Sequence, residues 1–138
     1  MRRLDVAAVF IKGEGEYFLQ LRGQDKYKGA AGLIGSFGGK IEAGESARMA
    51  AKRELEEETS LRFELERLEE IGKVIVQSDH KLELVEVHFT AFLLPLLPDE
   101  TVEALEGEVV KLTHAAALET KHRLTPGTKA CFIELIKE

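Results

Sequence analysis

The chain has 138 residues, 44% of them hydrophobic, which predicts one domain over residues 1–138 with a core of ordinary size. Its formal net charge of −6 argues against DNA or RNA as the main partner, because such binding depends on many Lys and Arg side chains, whereas a small phosphorylated ligand can be held locally. The single cysteine excludes an internal disulfide. The apolar run at residues 4–12 is too short for a signal peptide or a membrane span, so we expect a soluble cytoplasmic protein without a membrane partner.

The N-terminal segment predicts two strands and a long loop. The near-continuous apolar run at residues 4–12 is typical of a buried strand, and residues 17–22 predict its hairpin partner. Residues 23–37 are polar and glycine-rich, and a loop of this length in a small domain is usually functional or mobile.

This loop and the strand before it carry candidate substrate contacts. Tyr27 could stack on a base or sugar, and Arg22, Lys26 and Lys28 could contact phosphate. The alternative, that Tyr27 packs against its own loop and the lysines are solvated, stays open.

An acidic helix follows a second glycine-rich segment. Ser46 is a suitable N-cap, and the thirteen residues after it contain neither Gly nor Pro. At about 100° per residue, three acids, Glu54, Glu57 and Glu58, lie on the same side of the helix as the small and apolar residues. These residues are Ala47, Ala50, Ala51 and Leu55.

Three carboxylates at this spacing repel one another, and more strongly against a protein wall than in water. A cation should therefore balance them. Neither His nor Cys lies in the segment, so a hard cation with oxygen ligands is favoured, above all Mg²⁺ with Mn²⁺ as a possible substitute.

The segment from Gly39 to Leu61 resembles the Nudix box, which requires particular residue types at nine positions. Eight of the nine match, and only Ser60 departs, standing where the box has a glycine. The matching residues are Gly39, Glu45, Arg53, Glu54, Leu55, Glu57, Glu58 and Leu61.

The resemblance implies a metal-assisted hydrolase of a nucleoside diphosphate linked to another moiety, in which water attacks a phosphorus. It implies that Glu54, Glu57 and Glu58, with the backbone carbonyl of Gly39, hold Mg²⁺. It further implies that Arg53 orients these acids.

The resemblance assigns supporting roles to neighbours of the box. Glu45 is expected to support the junction between loop and helix, Lys40 to steer phosphate, and Arg22, at the end of its strand, to bind substrate.

Other departures from the family lie before the box. Many relatives that resemble the enzymes removing eight-oxo-guanine nucleotides have Trp and Phe-Pro where this chain has Ile34, Ser36 and Phe37. The nucleotide specificity therefore stays open. At Ser60, the lost glycine predicts that the helix ends in a different geometry, because serine would be strained in a left-handed turn.

The second half of the chain predicts a hairpin. Residues 63–77 and 81–94 alternate apolar with polar residues around a turn predicted at residues 78–80. His88 on the second strand could reach a site, but a lone strand histidine is more often structural.

An acid-rich loop follows, and the family often supplies one more carboxylate from the loop before its last strand, as a metal ligand or as the base. Glu106 is the first choice for this role, while Glu108, Glu103 and His88 stay open as the base.

The segment from Thr113 resembles the short helix that follows the family's final strand, and the sequence predicts a terminal helix with Thr125 as N-cap and Pro126 in its first turn. Cys131 is expected to be a buried thiol. The buried stripe of the terminal helix is predicted as Ala130, Phe132, Ile133 and Ile136.

The order of elements predicts an α/β (α+β) fold, and the resemblance implies an α/β/α sandwich with a mixed sheet between helices. The first functional hypothesis is a Mg²⁺-dependent pyrophosphohydrolase, and the alternative is a catalytically silent nucleotide-binding or regulatory module. A prenyl diphosphate isomerase is disfavoured, because it would need a reactive cysteine and Cys131 is poorly placed. A homodimer is common in the family.

Overall fold

The computed structural model describes residues 1–22, 32–80 and 83–137. Within these residues, seven strands form one mixed sheet, and two short 3₁₀ turns occur at Leu65–Arg67 and Lys121–Arg123. The strands are β1 Arg2–Lys12, β2 Tyr17–Leu21, β3 Ile34–Gly35, β4 Phe37–Lys40, β5 Glu69–His80, β6 Glu83–Pro95 and β7 Glu108–Leu112. The helices are α1 Ala47–Glu58, α2 His114–Glu119 and α3 Pro126–Glu134.

Strand β1 is the centre of the sheet. It pairs in parallel with β6 along its whole length, and antiparallel with β2 and β4 on its other side. The strand order is β3-β2-β1-β6-β5, and β7 is added to the sheet by pairing with β2. Because both faces of β1 are covered, its residues 7–11 are all buried, which explains the unbroken apolar run in the sequence.

Two apolar cores lie on opposite faces of this sheet. Alternate side chains of β1 such as Val9 pack with Leu55 of α1, and the intervening ones such as Phe10 pack with Cys131 and Phe132 of α3. The predicted arrangement of a mixed sheet between helices is therefore confirmed.

The predicted hairpin is present, but its turn is not where the alternation placed it. Residues 78–80 pair with residues 83–85, so the turn predicted at residues 78–80 is wrong and these residues continue β5. The strand also starts at Glu69 rather than at Phe63, because Leu65–Arg67 forms a 3₁₀ turn. Arg67 holds that turn through hydrogen bonds of 2.8 and 2.6 Å to the carboxylate of Glu100.

Part of the predicted loop at residues 23–37 is strand. Gly35 pairs with Gln20 of β2 and Phe37 pairs with Val9 of β1, so the end of this segment belongs to the sheet. Tyr27, like Lys26 and Lys28, lies outside the described residues.

The cap of α1 and the burial of Cys131 agree with the prediction, but α3 ends at Glu134, before the predicted stripe residue Ile136, and one residue of that stripe is exposed. The Ser46 hydroxyl accepts from the Met49 N–H at 3.1 Å, and Cys131 is fully buried. Ile133, however, is 48% exposed, so its assignment to the buried stripe is wrong. Along the described part of the chain, none of the helices is long and apolar enough to cross a membrane.

Candidate active site

Helix α1 approaches strand β4 closely enough to place its acids at the sheet. Ala50, Ala51 and Leu55 are fully buried against the core, as the pattern of small residues predicts. The closest approach occurs at Gly39, where a Cβ would lie 2.5 Å from Cδ of Glu54. Only glycine therefore leaves room for the Glu54 carboxylate beside β4.

The three box acids differ in their environment. Glu58 is 3% exposed, and its Oε1 accepts a 2.9 Å hydrogen bond from the backbone N–H of Gly38. Glu54 is half-buried, whereas the side chain of Glu57 is 59% exposed. The predicted inward side of the helix is thus occupied by Glu54 and Glu58, with Glu57 at its solvent edge.

The carboxyl of Glu58 is buried beside other acids, which disfavours its charged form. Burial, together with repulsion from Glu54 and Glu106, raises its pKa to about 7, although the Gly38 N–H and the charge of Arg22 oppose the rise. A cation close to these acids would favour their charged forms.

Arg53 connects the acids to the loop before the helix. Its Nε and Nη2 donate to the two carboxylate oxygens of Glu45 at 2.6 and 2.9 Å, a bidentate pair. Its Nη1 donates to Glu54 at 2.9 Å and lies 3.5 Å from Glu57, while Nη2 also donates to the Lys40 carbonyl at 3.1 Å. The hydrogen bond from Arg53 lowers the pKa of Glu45 to about 2.

A cleft of about 470 Å³ lies beside these residues. One part of its wall is charged and includes Glu54, Glu57, Lys40 and Arg22. Lys40 is exposed and Arg22 is half-buried, with Nη2 of Arg22 donating to the Ser36 carbonyl at 3.2 Å. The predicted phosphate-steering and substrate-binding cations therefore share one cleft with two of the acids.

The remaining wall of the cleft comes from β1, β6, the residues before the box and the start of α3. It includes Phe89, Ser36, Thr125 and Thr128. The Ser36 N–H donates to Oγ1 of Thr128 at 2.9 Å, and the Thr125 hydroxyl donates to the same oxygen at 2.8 Å. Thr125 is the N-cap residue, as predicted, but its side chain makes no capping hydrogen bond because it faces Thr128.

This part of the wall was missed by sequence reasoning. Ile34 is buried in the core, whereas Phe37 is buried in the core and also lines the cleft. The threonine pair at positions i and i+3 of a helix start was the available signal, but helix capping alone accounts for such a pair.

The donor set at the cleft fits a hard divalent cation. Within residues 1–22, 32–80 and 83–137, no group of three or more His, Cys, Asp or Glu side chains is already close enough to hold a metal ion. Mg²⁺ is usually bound by one or two carboxylates together with waters and substrate phosphates, so a closed protein cage is not required. Because Gly39 has no Cβ, the Glu54 carboxylate can lie next to the backbone of β4.

The candidate acids of the loop before β7 are placed differently. Glu103 and Glu108 are exposed, whereas Glu106 is half-buried and its charge acts on Glu58. The loop contacts the end of α1, where Thr59 forms an isolated bridge with Ala104. Thr59, the C-cap residue of α1, is extended, with φ −137°.

His88 does not belong to this constellation. Its Nε2 lies 2.5 Å from Oε1 of Glu86, its neighbour two residues away on β6, and it is not among the described residues that line the cleft. The observed pairing supports a structural role.

The chain matches the NUDIX domain family over residues 1–134. Among solved structures, it is similar to a MutT protein from Methanosarcina mazei Go1, with a TM-score of 0.76, 19% identity, and coverage of 96% of this chain and 91% of that chain. It is also similar to the E. coli ORF135 protein, with a TM-score of 0.66, 27% identity, and coverage of 96% and 88% of the two chains.

A third similar structure is a bifunctional NMN adenylyltransferase/ADP ribose pyrophosphatase from Francisella tularensis. The TM-score is 0.71 at 16% identity, and the match covers 95% of this chain but 40% of that one. No curated protein sequence matches the chain at a significant level. Structural likeness at such low identity shows the shared fold.

Proposed function

Because the chain belongs to the Nudix family and is a hydrolase of phosphoric anhydride bonds, we propose that it is a Mg²⁺-dependent pyrophosphohydrolase. Its substrate would be a nucleoside diphosphate linked to another moiety. The observation that carries the proposal is a single cleft that brings together Glu54, Glu57, Lys40 and Arg22. Acids for a divalent ion and cations for phosphate thus lie within one ligand-sized space.

The residues that would hold Mg²⁺ are Glu54, Glu57 and Glu58 with the carbonyl of Gly39. When bound, the ion would polarise phosphoryl oxygens and lower the pKa of a water molecule. Arg53 orients Glu54 through its 2.9 Å hydrogen bond, because the guanidinium is itself fixed by the bidentate pair with Glu45.

Phosphate binding is proposed for Lys40 and Arg22. Both line the same cleft as Glu54 and Glu57, where their charges would balance phosphate oxygens. Glu106 is proposed as the further carboxylate, either a metal ligand or the base that takes a proton from the attacking water. Its support is that it is half-buried and acts on Glu58, whereas Glu103 and Glu108 are exposed.

The part of the wall formed by Phe89, Ser36, Thr125 and Thr128 would contact the rest of the substrate. An aromatic ring next to hydroxyl groups suits a nucleoside or sugar. A panel of nucleoside triphosphates and nucleotide sugars, with ADP-ribose included because of the Francisella relative, would identify the preferred class.

The deciding experiment compares Glu57→Gln with Glu56→Gln. Glu57 lines the cleft. Glu56 lies one position earlier on α1 and is not among the described residues that line the cleft; its carboxylate pairs with Nζ of Lys52 at 2.7 Å. Glu57→Gln would remove several kcal/mol of charge stabilisation at the metal site, so its kcat in Mg²⁺ should fall by at least about 100-fold. Its circular dichroism spectrum should be unchanged. Glu56→Gln should retain kcat. Full turnover by Glu57→Gln on a true substrate would end the proposal.

A catalytically silent binding module is the second candidate. A nucleotide ligand would raise the melting temperature of such a module, but the module would release no product from any member of the panel. Every acid of the box is present in this chain, which favours the enzyme. A homodimer stays a prediction, which light scattering of the purified protein would test.

A further inference from the structure

Gln20 is a polar residue enclosed within the sheet. It is 3% exposed on β2, between its strand partners Gly35 on β3 and Val109 on β7. Its Nε2 donates a 2.8 Å hydrogen bond to the backbone carbonyl of Glu106. A carbonyl can only accept, so this bond determines the orientation of the amide.

The amide oxygen of Gln20 is left without compensation. Among the residues that the structure describes, Oε1 is buried and has no hydrogen-bond partner. Burying an unpaired polar atom opposes folding, and this cost offsets the stabilisation that the hydrogen bond to Glu106 contributes. Fold stability alone therefore does not account for glutamine at this position.

The same loop is held from its other side by the end of α1. We call residues 103–106 the acid loop. The Ser60 N–H donates to the Glu103 carbonyl at 3.0 Å, and the Glu103 N–H donates back to the Ser60 hydroxyl at 3.1 Å. The Leu105 N–H donates to the carbonyl of Glu58 at 2.8 Å. The serine that departs from the Nudix box thus uses its side chain to bind the acid loop.

The chain turns sharply after the acid loop and returns against β2. Gly107 has φ +67°, and a Cβ there would lie 2.6 Å from the carbonyl oxygen of Leu21. Glu106 is therefore fixed against β2 at two points: Gln20 donates to the Glu106 carbonyl, and the neighbouring Gly107 packs on Leu21.

We propose that Gln20 and Ser60 are positioning residues, which together hold the acid loop so that the Glu106 carboxylate stays beside Glu58. The inference rests on the proposed hydrolase function for its catalytic consequence, but the positioning itself can be measured without turnover. Neither residue need touch the substrate, because both act through the backbone of the acid loop.

The direct measurement is amide hydrogen exchange by NMR in the full chain. In Gln20→Leu and in Ser60→Ala, the amides of Glu103 and Leu105 should exchange about 10-fold faster or more, while amides of β1 keep their rates. Glu103→Gln is the matched control, because it neutralises an exposed acid of the same loop and keeps the backbone bonds. Unchanged exchange in both variants would overturn the proposal.

The kinetic measurement separates positioning from a merely structural role. In Gln20→Leu, kcat should fall about 10- to 100-fold with little change in KM, because the acid loop shifts while the substrate-binding residues stay in place. A merely structural role would leave kcat and KM of the folded protein unchanged. Ser60→Ala, at an exposed site, should give the same split between kcat and KM even if Gln20→Leu folds poorly.

A double variant tests whether the effect passes through Glu106. Gln20→Leu combined with Glu106→Gln should have the kcat of Glu106→Gln alone within about 2-fold, because residues that act as a unit are not additive. Losses that multiply would refute the assignment. A parent protein that hydrolyses nothing in the panel would refute the proposed function, and the exchange rates would then still decide whether the acid loop is held by these residues.

Discussion

Gly39→Ala should separate the geometry of the site from the stability of the fold. The added Cβ would lie 2.5 Å from Cδ of Glu54 and 2.6 and 2.7 Å from its two oxygens. An ordinary contact of about 3.4 Å or more requires the carboxylate to move by roughly 0.9 Å. Displacement of a site group by about 1 Å can lower the rate about 100-fold, so kcat should fall by that order.

The fold should tolerate the same substitution. The clashing atoms are the end of a flexible side chain, and the φ of Gly39 is outside the left-handed region. The carbonyl proposed as a metal ligand is also retained. We therefore expect the free energy of unfolding, measured in urea, to stay within about 1 kcal/mol of the parent.

Gly44→Ala provides the opposite control. Gly44 has φ +80° and open space around its Cβ position, so alanine there is strained by about 1 kcal/mol but displaces no acid. We expect lower stability with normal kcat in Gly44→Ala, and normal stability with low kcat in Gly39→Ala. A Gly39→Ala enzyme with parental kcat and Mg²⁺ dependence would refute the placement of Glu54 in the reaction.

Two further predictions concern Arg53. Arg53→Lys should lower kcat about 10- to 100-fold and the free energy of unfolding by about 1–3 kcal/mol. The reason is that one ammonium group cannot reproduce both the bidentate pair with Glu45 and the hydrogen bond to Glu54. Parental values of kcat and of the free energy of unfolding would contradict this prediction. Arg53 also holds the pKa of Glu45 at about 2, below its ordinary 4.5. The folded-state pKa is the lower one, so this stabilisation is complete above about pH 4.5 and is lost as the pH falls towards 2. Urea denaturation of Glu45→Gln should therefore show a shallower loss of stability over that range than the parent, and identical slopes would exclude the pair as the cause.

Local features of the chain were predictable where the determining contacts are local. Ser46 caps α1 because its hydroxyl reaches an N–H three residues away, and the spacing of Ala50, Ala51 and Leu55 gives the buried face of that helix. The box pattern likewise indicated the family, since its spacing reflects a loop and a helix that are continuous in sequence.

Errors arose where distant residues decide the local structure. Residues 78–80 resemble a turn in composition, but cross-strand pairing with β6 keeps them in β5. Ile133 has the spacing of a buried residue, but α3 covers the sheet with Cys131 and Phe132 and leaves Ile133 exposed. Periodicity indicates which face of a helix or strand is apolar, but packing against another element determines how much of that face is buried.

The sequence by itself determined the acid-bearing helix, the glycine-rich segment before it and the first two strands, because each depends on residues that are close together in the chain. The tertiary structure alone decided that Gln20 holds the carbonyl of Glu106, that Thr128 joins Ser36, and that Glu58 is buried while Glu57 is not. These contacts join residues as many as 92 positions apart. No local spacing encodes such a contact, since it forms only when the sheet brings separate strands and helix ends together.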